Sequence, residues 1–137
     1  KQDLKKLEME ETIFLPGWVD GDKKKALLEE AYIYALPSYF EGLPISILEA
    51  MSTGTPTIAT NVGGIPYAIT NHVEGFLIEP GDIKALTESL IVLLTDSEKW
   101  LSMSRAAATK IKEKFSHDVT LGQLSRLYQE LSPSKEN

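Results

Sequence analysis

Two carboxylates, Glu41 and Glu49, stand with seven residues between them at the two ends of a short segment that reads as the beginning of a helix. Gly42, next to Glu41, has no side chain, so a ligand can come close to the backbone there. Pro44 fits the first turn of the helix, because its fixed φ suits that position and its missing N–H has no partner there in any case. Gly54 and Pro56 close the helix. A helix N-terminus presents free N–H groups and a partial positive charge, a natural seat for a phosphate. At about 1.5 Å rise per residue, Glu49 lies roughly 7 to 8 Å further along. The pattern suits a ligand with a phosphate flanked by hydroxyls, as in a sugar diphosphate nucleoside. On the same helix Ile47, Leu48 and Met51 make the stripe that faces a sheet, while Glu49 shares its side with Ser46 and Ser52 and points to the crevice edge.

Other chemistry is carried less well. On spacing alone, Glu41 and Glu49 could be solvent-facing carboxylates on a loop and a helix. A glycoside-hydrolysing acid/base pair also uses two carboxylates, but it needs a complete substrate cleft that nothing in the sequence supplies. Asp20-Gly21-Asp22 has the Asp-x-Asp form that can hold a metal, yet its place before a helix points to turn and N-cap duty. His72 and His117 lie apart with no cysteine or carboxylate pair at metal spacing, so no metal site is read. Gly63-Gly64 lacks the surroundings of a dinucleotide fingerprint and is either a tight turn or a turn approaching the ligand. The Lys23–Lys25 run reads as a solvated helix face.

The elements that must position these residues alternate short apolar runs with longer amphipathic ones, the signature of a parallel sheet with helices packed on it. The expected fold class is therefore α/β. Strands are predicted at Thr12–Leu15, Ile33–Leu36, Thr57–Thr60 and Phe76–Ile78, short and mostly apolar as buried parallel strands are. A crossover helix with an acidic N-cap is predicted from Asp22 to Ala31. Ile83, Leu86, Leu90 and Leu93 mark a helix from Asp82, and Trp100, Met103, Ala107, Ile111 and Phe115 mark a second, with Trp100 and Phe115 in the core. A last helix is predicted from about Asp118 to Leu131, striped by Leu124, Leu127, Tyr128 and Leu131. The segment that carries the two carboxylates follows the second strand directly. In open parallel sheets, the loops at the carboxyl ends of strands form the ligand crevice.

Composition bounds the partners. With 137 residues, 42% hydrophobic and 25% charged, the chain has the balance of one globular domain, 1–131, followed by a polar tail, 132–137. A net charge of −6 argues against a broad grip on nucleic acid. No apolar run approaches the roughly 18 to 20 residues that span a bilayer, and the N-terminus has no apolar signal core. The absence of cysteine leaves no disulfides and suits a cytoplasmic location, with the inner face of the membrane a further place for the full-length protein.

The stretch LPSYFEGLPISILEAMSTGTPTIATNVGGIP, with Glu41 and Glu49 as an E-x7-E pair, resembles the retaining glycosyltransferases of family four, and Gly75-Phe-Leu-Ile-Glu-Pro-Gly-Asp82 continues the likeness over almost the whole chain. The resemblance implies a truncated Rossmann-like parallel sheet with flanking helices, the C-terminal half of a GT-B fold. It implies a metal-independent, retaining hexosyl transfer in polysaccharide biosynthesis, with no cofactor beyond a nucleotide-sugar donor, UDP-linked rather than GDP- or ADP-linked. The acceptor, a saccharide or lipid-linked, would be held by an N-terminal domain absent from this chain. In the family the first Glu contacts donor sugar hydroxyls and the second the ribose hydroxyls. Those roles fall to Glu41, also the catalytic position, and to Glu49. Gly42, Leu43, Ile45, Gly63 and Gly64 complete the implied donor-binding set.

Three departures stand out. Pro44 replaces a common glycine, Tyr67 stands where an acidic residue is common, and the Arg and Lys that bind the donor diphosphate in the family have no counterpart here. The isolated chain is therefore expected to be inactive. Alternatives are a non-catalytic nucleotide-binding or oligomerisation module, a GT-B sugar-nucleotide epimerase and a glycogen synthase relative. Strands missing between Thr12–Leu15 and Ile33–Leu36 would leave a gap. Either Thr12–Leu15 moves inward to pair with Ile33–Leu36, or a second copy supplies the partner and makes a homodimer.

Overall fold

The computed structural model describes residues 6–132. Three short strands, β1 (Tyr34–Leu36), β2 (Thr57–Thr60) and β3 (Gly75–Ile78), form a parallel sheet in the order β1-β2-β3. Helix α1 (Gly21–Glu30) precedes β1. Helix α2 (Ile45–Ser52) connects β1 to β2, and the single-turn α3 (Ile65–Ala68) lies between β2 and β3. After the sheet come α4 (Ile83–Thr95), α5 (Ser97–Lys110), a π-helical turn (Ile111–Phe115) and α6 (His117–Leu131). Parallel neighbours need crossovers rather than hairpins, which is why a helix follows each strand.

The register sorts the strand side chains between two cores. Leu36, Ala59 and Leu77 are register partners and pack on one face with Ile47 and Met51 of α2, Ile65 and Ala68 of α3, and Ala107 of α5. Ile58 pairs with Phe76, and with Ile78 they pack on the opposite face with Leu93 of α4 and Met103 of α5. Helices thus cover both faces, the arrangement that makes every residue of β2 buried. Gly75 is required where β2 and β3 meet, because a Cβ there would lie 2.0 Å from the Thr57 carbonyl oxygen. Asp82 and Asp96 cap α4 and α5 by accepting from the N–H groups of Ala85 and Lys99.

Several expectations are corrected. Thr12–Leu15 is not a strand: the Thr12 and Ile13 N–H groups turn back to the Met9 carbonyl, and no neighbour among the described residues offers a ladder. It does not move inward to pair with Ile33–Leu36, and β1 has β2 as its only strand neighbour among the described residues. The crossover helix starts at Gly21, so Asp20 takes the N-cap place, and its side chain makes no capping bond. Pro44 lies one position before the expected first turn, in extended conformation at the N-cap. Trp100 and Phe115 pack against the two cores from their margins and are only half-buried; Trp100 stacks on Tyr32 at 4.7 Å between ring centroids and donates to its carbonyl. Of the tail 132–137, all but Ser132 lies outside the described residues. No helix among the described residues is long and apolar enough to cross a membrane.

Candidate functional site

The loops that leave the carboxyl ends of the three strands meet at one edge of the sheet. After β1 comes the loop Pro37–Pro44, after β2 Asn61–Gly64, and after β3 Glu79–Asp82. The first two are locked together by main-chain geometry, for the Gly64 N–H donates to the Gly42 carbonyl at 2.7 Å. Gly63, at φ +54, lies so close that a Cβ would stand 1.9 Å from the Glu41 carbonyl oxygen. The buried Thr60 hydroxyl adds a third tie by donating to the Ser38 carbonyl at 2.6 Å. The Asn61 N–H donates to the Ile78 carbonyl at 2.8 Å, and the Tyr39 hydroxyl lies against Gly81, so the loop after β3 joins the same edge. Parallel sheets bind ligands at this edge, because the loops and helix N-termini converge there.

The expected residues fall into two groups. Glu41, Gly42, Leu43, Ile45, Gly63 and Gly64 come together around the N-terminus of α2. Glu41 is half-buried, and its carboxylate has no hydrogen-bond or ion-pair partner among the described residues. It remains available to a ligand. Leu43 is 37% and Ile45 70% exposed, so the mouth beside Glu41 has an apolar rim to which Phe40, at 90%, adds a ring. Glu49 lies a turn into α2 and faces α1. Its Oε1 accepts from Lys24 Nζ at 2.7 Å. Between the two helices runs a groove of about 590 Å³ lined by Gly21, Lys24, Leu28, Glu49, Ser52 and Thr53 among others.

Sequence reasoning missed Lys24. Lys23 and Lys25 are exposed, as a solvated face requires, and Lys25 makes only the long i,i+4 contact to Glu29 at 3.8 Å. Lys24 and Leu28 are the two residues of α1 that fall short of full exposure. The four-residue spacing puts Lys24 and Leu28 on one face, but Lys23 and Leu27 share that spacing, so the sequence does not single out the lysine that turns inward. Tyr39 was missed as well, because its contact with Gly81 crosses between loops. Tyr67 is exposed and sits edge-on to Phe115, with ring centroids 5.7 Å apart.

Residues 1–110 match the family described as glycosyl transferases group 1. The chain belongs to that family. It is 35% identical over 121 residues to a sucrose synthase of Melioribacter roseus, covering 83% of this chain and 15% of that protein. With the UDP-Gal:alpha-D-GlcNAc-diphosphoundecaprenol alpha-1,3-galactosyltransferase of Escherichia coli it shares 32% identity over 129 residues, 94% of this chain and 33% of the relative. The crystal structure of Anabaena HepE in complex with UDP superposes with a TM-score of 0.88 at 23% identity, over 95% of this chain and 35% of that one. The likeness to HepE establishes the fold, the α/β architecture of GT-B glycosyltransferases. The chain spans between 15% and 33% of the length of these two curated relatives.

Proposed function

We propose that this chain is the donor-binding part of a retaining glycosyltransferase that moves a hexosyl group from a nucleoside diphosphate, UDP-linked, to a saccharide or lipid-linked acceptor. The observation that carries the reading is the Gly64-to-Gly42 main-chain bond, which fixes the Glu41 loop at the carboxyl edge of the sheet beside the α2 N-terminus. In this reading the first-turn N–H groups of α2 stabilise the charge developing on the leaving diphosphate. Glu41 orients the donor sugar, and positioning supplies much of the rate. Glu49 binds the ribose hydroxyls, while Gly42, Leu43, Ile45, Gly63 and Gly64 shape the walls of the site. No residue of the chain is assigned as a base or nucleophile, and neither a metal nor a cofactor takes part. A second domain holds the acceptor, and the chain alone is inactive.

Two substitutions in the full-length protein test the assignment. Glu49→Ala is expected to weaken UDP binding by about 1 to 3 kcal/mol, the range for a hydrogen bond to a charged group. Calorimetry showing unchanged UDP affinity would sink the role of Glu49. Glu41→Ala is expected to lower turnover while leaving UDP affinity nearly intact, since its contact is with the sugar. Equal losses in both quantities would assign Glu41 a structural role instead.

A further inference from the structure

Lys24 lies where an amphipathic helix ordinarily carries an apolar side chain. It shares the inner face of α1 with Leu28, and the rest of that helix is exposed. A lysine turned inward gives up hydration and side-chain freedom, so its partner must offset that loss. The partner is Glu49, at 2.7 Å, with the two side chains 43% and 33% exposed. This is shorter than the other ion pairs found among the described residues, which run from 3.1 to 3.8 Å. The two helices are also tied at their far ends, where the Thr53 and Thr55 hydroxyls reach the Leu28 carbonyl at 3.4 Å. The lysine and the carboxylate are therefore presented to each other by packed elements.

Building on the donor-site reading above, we infer that Lys24 is a positioning residue for that site: it holds one carboxylate oxygen of Glu49 so that the other is presented to the vicinal hydroxyls of the donor ribose. The effect that follows from the geometry is orientation. A half-exposed glutamate on a helix samples several rotamers, and a charge-assisted bond to Oε1 selects one of them. Lys24 acts through Glu49 and touches no reacting atom.

The test is a double-mutant cycle in the full-length protein, with affinity read by calorimetry for UDP and for an analogue of UDP lacking both ribose hydroxyls. Lys24→Met is expected to weaken UDP binding about tenfold, in the range of one charge-assisted hydrogen bond. Lys24→Arg is expected to recover most of it. Lys24→Met in the Glu49→Ala background should cost nothing further, and neither substitution should change affinity for the analogue by more than about twofold. Thermal denaturation of each variant controls for folding. Two results would overturn the inference while leaving the role of Glu49 intact. One is Lys24→Met without effect on UDP beside a damaging Glu49→Ala. The other is losses from the two substitutions that multiply, or that persist with the analogue, which would mean a direct contact between Lys24 and the nucleotide. Unchanged UDP affinity in Glu49→Ala would remove the donor-site reading of that residue and the inference with it.

Discussion

Gly63 shows how a single side chain position controls the geometry around Glu41. At φ +54 an alanine is already strained, and its Cβ would meet the Glu41 carbonyl oxygen at 1.9 Å. The loop cannot relax without giving up the Gly64-to-Gly42 bond. Gly63→Ala is therefore expected to destabilise the protein by more than about 1 kcal/mol and to weaken UDP binding in the full-length protein. Gly122 supplies the control. It stands inside α6 with open space where a Cβ would go, and Gly122→Ala should stabilise by about 0.5 to 1 kcal/mol. Urea denaturation reads both, and equal effects would mean that the glycine loop has no special geometry. The place of Glu41 beside a helix N-terminus was legible in the sequence, because helical spacing and the glycine and proline around it are local signals. The Lys24–Glu49 pair was not. The two residues are 25 positions apart, and nothing in three consecutive lysines says which one turns inward until the packing of α1 on α2 is known. The geometry of Gly63-Gly64 was half legible. A turn could be read, while the surface it approaches could not: in the structure that surface is the Glu41–Gly42 backbone.

At the scale of elements, short apolar runs bounded by glycine, proline or asparagine located β2 and β3 to within a residue, and helical spacing located α4, α5 and α6. Thr12–Leu15 has the same local signature and yet forms no strand. Its composition suits a ladder, but a ladder needs a neighbour, and that is a property of the assembled sheet. Tertiary ties of another kind were also illegible, among them the link between α5 and the segment entering β3. Lys110 Nζ lies 3.1 Å from Glu74 Oε1 and donates to the Thr70 hydroxyl, while Glu74 Oε2 accepts from the Thr70 N–H at 2.7 Å. The Glu74 side chain is 8% exposed. Removing the cation leaves a carboxylate with little water to replace it, so Lys110→Met is expected to destabilise by about 3 to 5 kcal/mol, as for a broken buried pair. Lys84 makes a solvent-exposed pair with Glu88 at 3.8 Å, and Lys84→Met should cost well under about 1 kcal/mol. Comparable losses in urea denaturation would show that the Glu74 pair is not the tie its burial suggests.

Apolar surface lies exposed across the described residues. Leu121, Leu124, Leu127, Tyr128 and Leu131 recur every three or four residues along α6, and all are exposed. An amphipathic helix normally buries such a stripe. β1 adds an open edge, whose outward N–H and C=O groups can pair with another chain. The far side of the sheet is closed differently. There the Asn71 side chain accepts from the Leu77 N–H and the His72 N–H donates to the Gly75 carbonyl, so the β3 edge is partly covered by its own loop. Among the described residues, the sheet is thus protected on one edge and open on the other. In the proposed full-length enzyme, the acceptor domain is expected to cover the α6 stripe. When the 137-residue chain is made alone, another copy is the only apolar partner at hand, and the expected product is a homodimer whose population rises with concentration. Sedimentation velocity across a concentration series reads this directly. Leu124→Lys combined with Leu131→Lys should shift the chain toward monomer without lowering its thermal stability, since neither side chain contributes to the two cores. A monomer at every concentration in the unsubstituted chain would overturn the prediction. A dimer unaffected by the two lysines would move the contact from α6 to the open edge of β1.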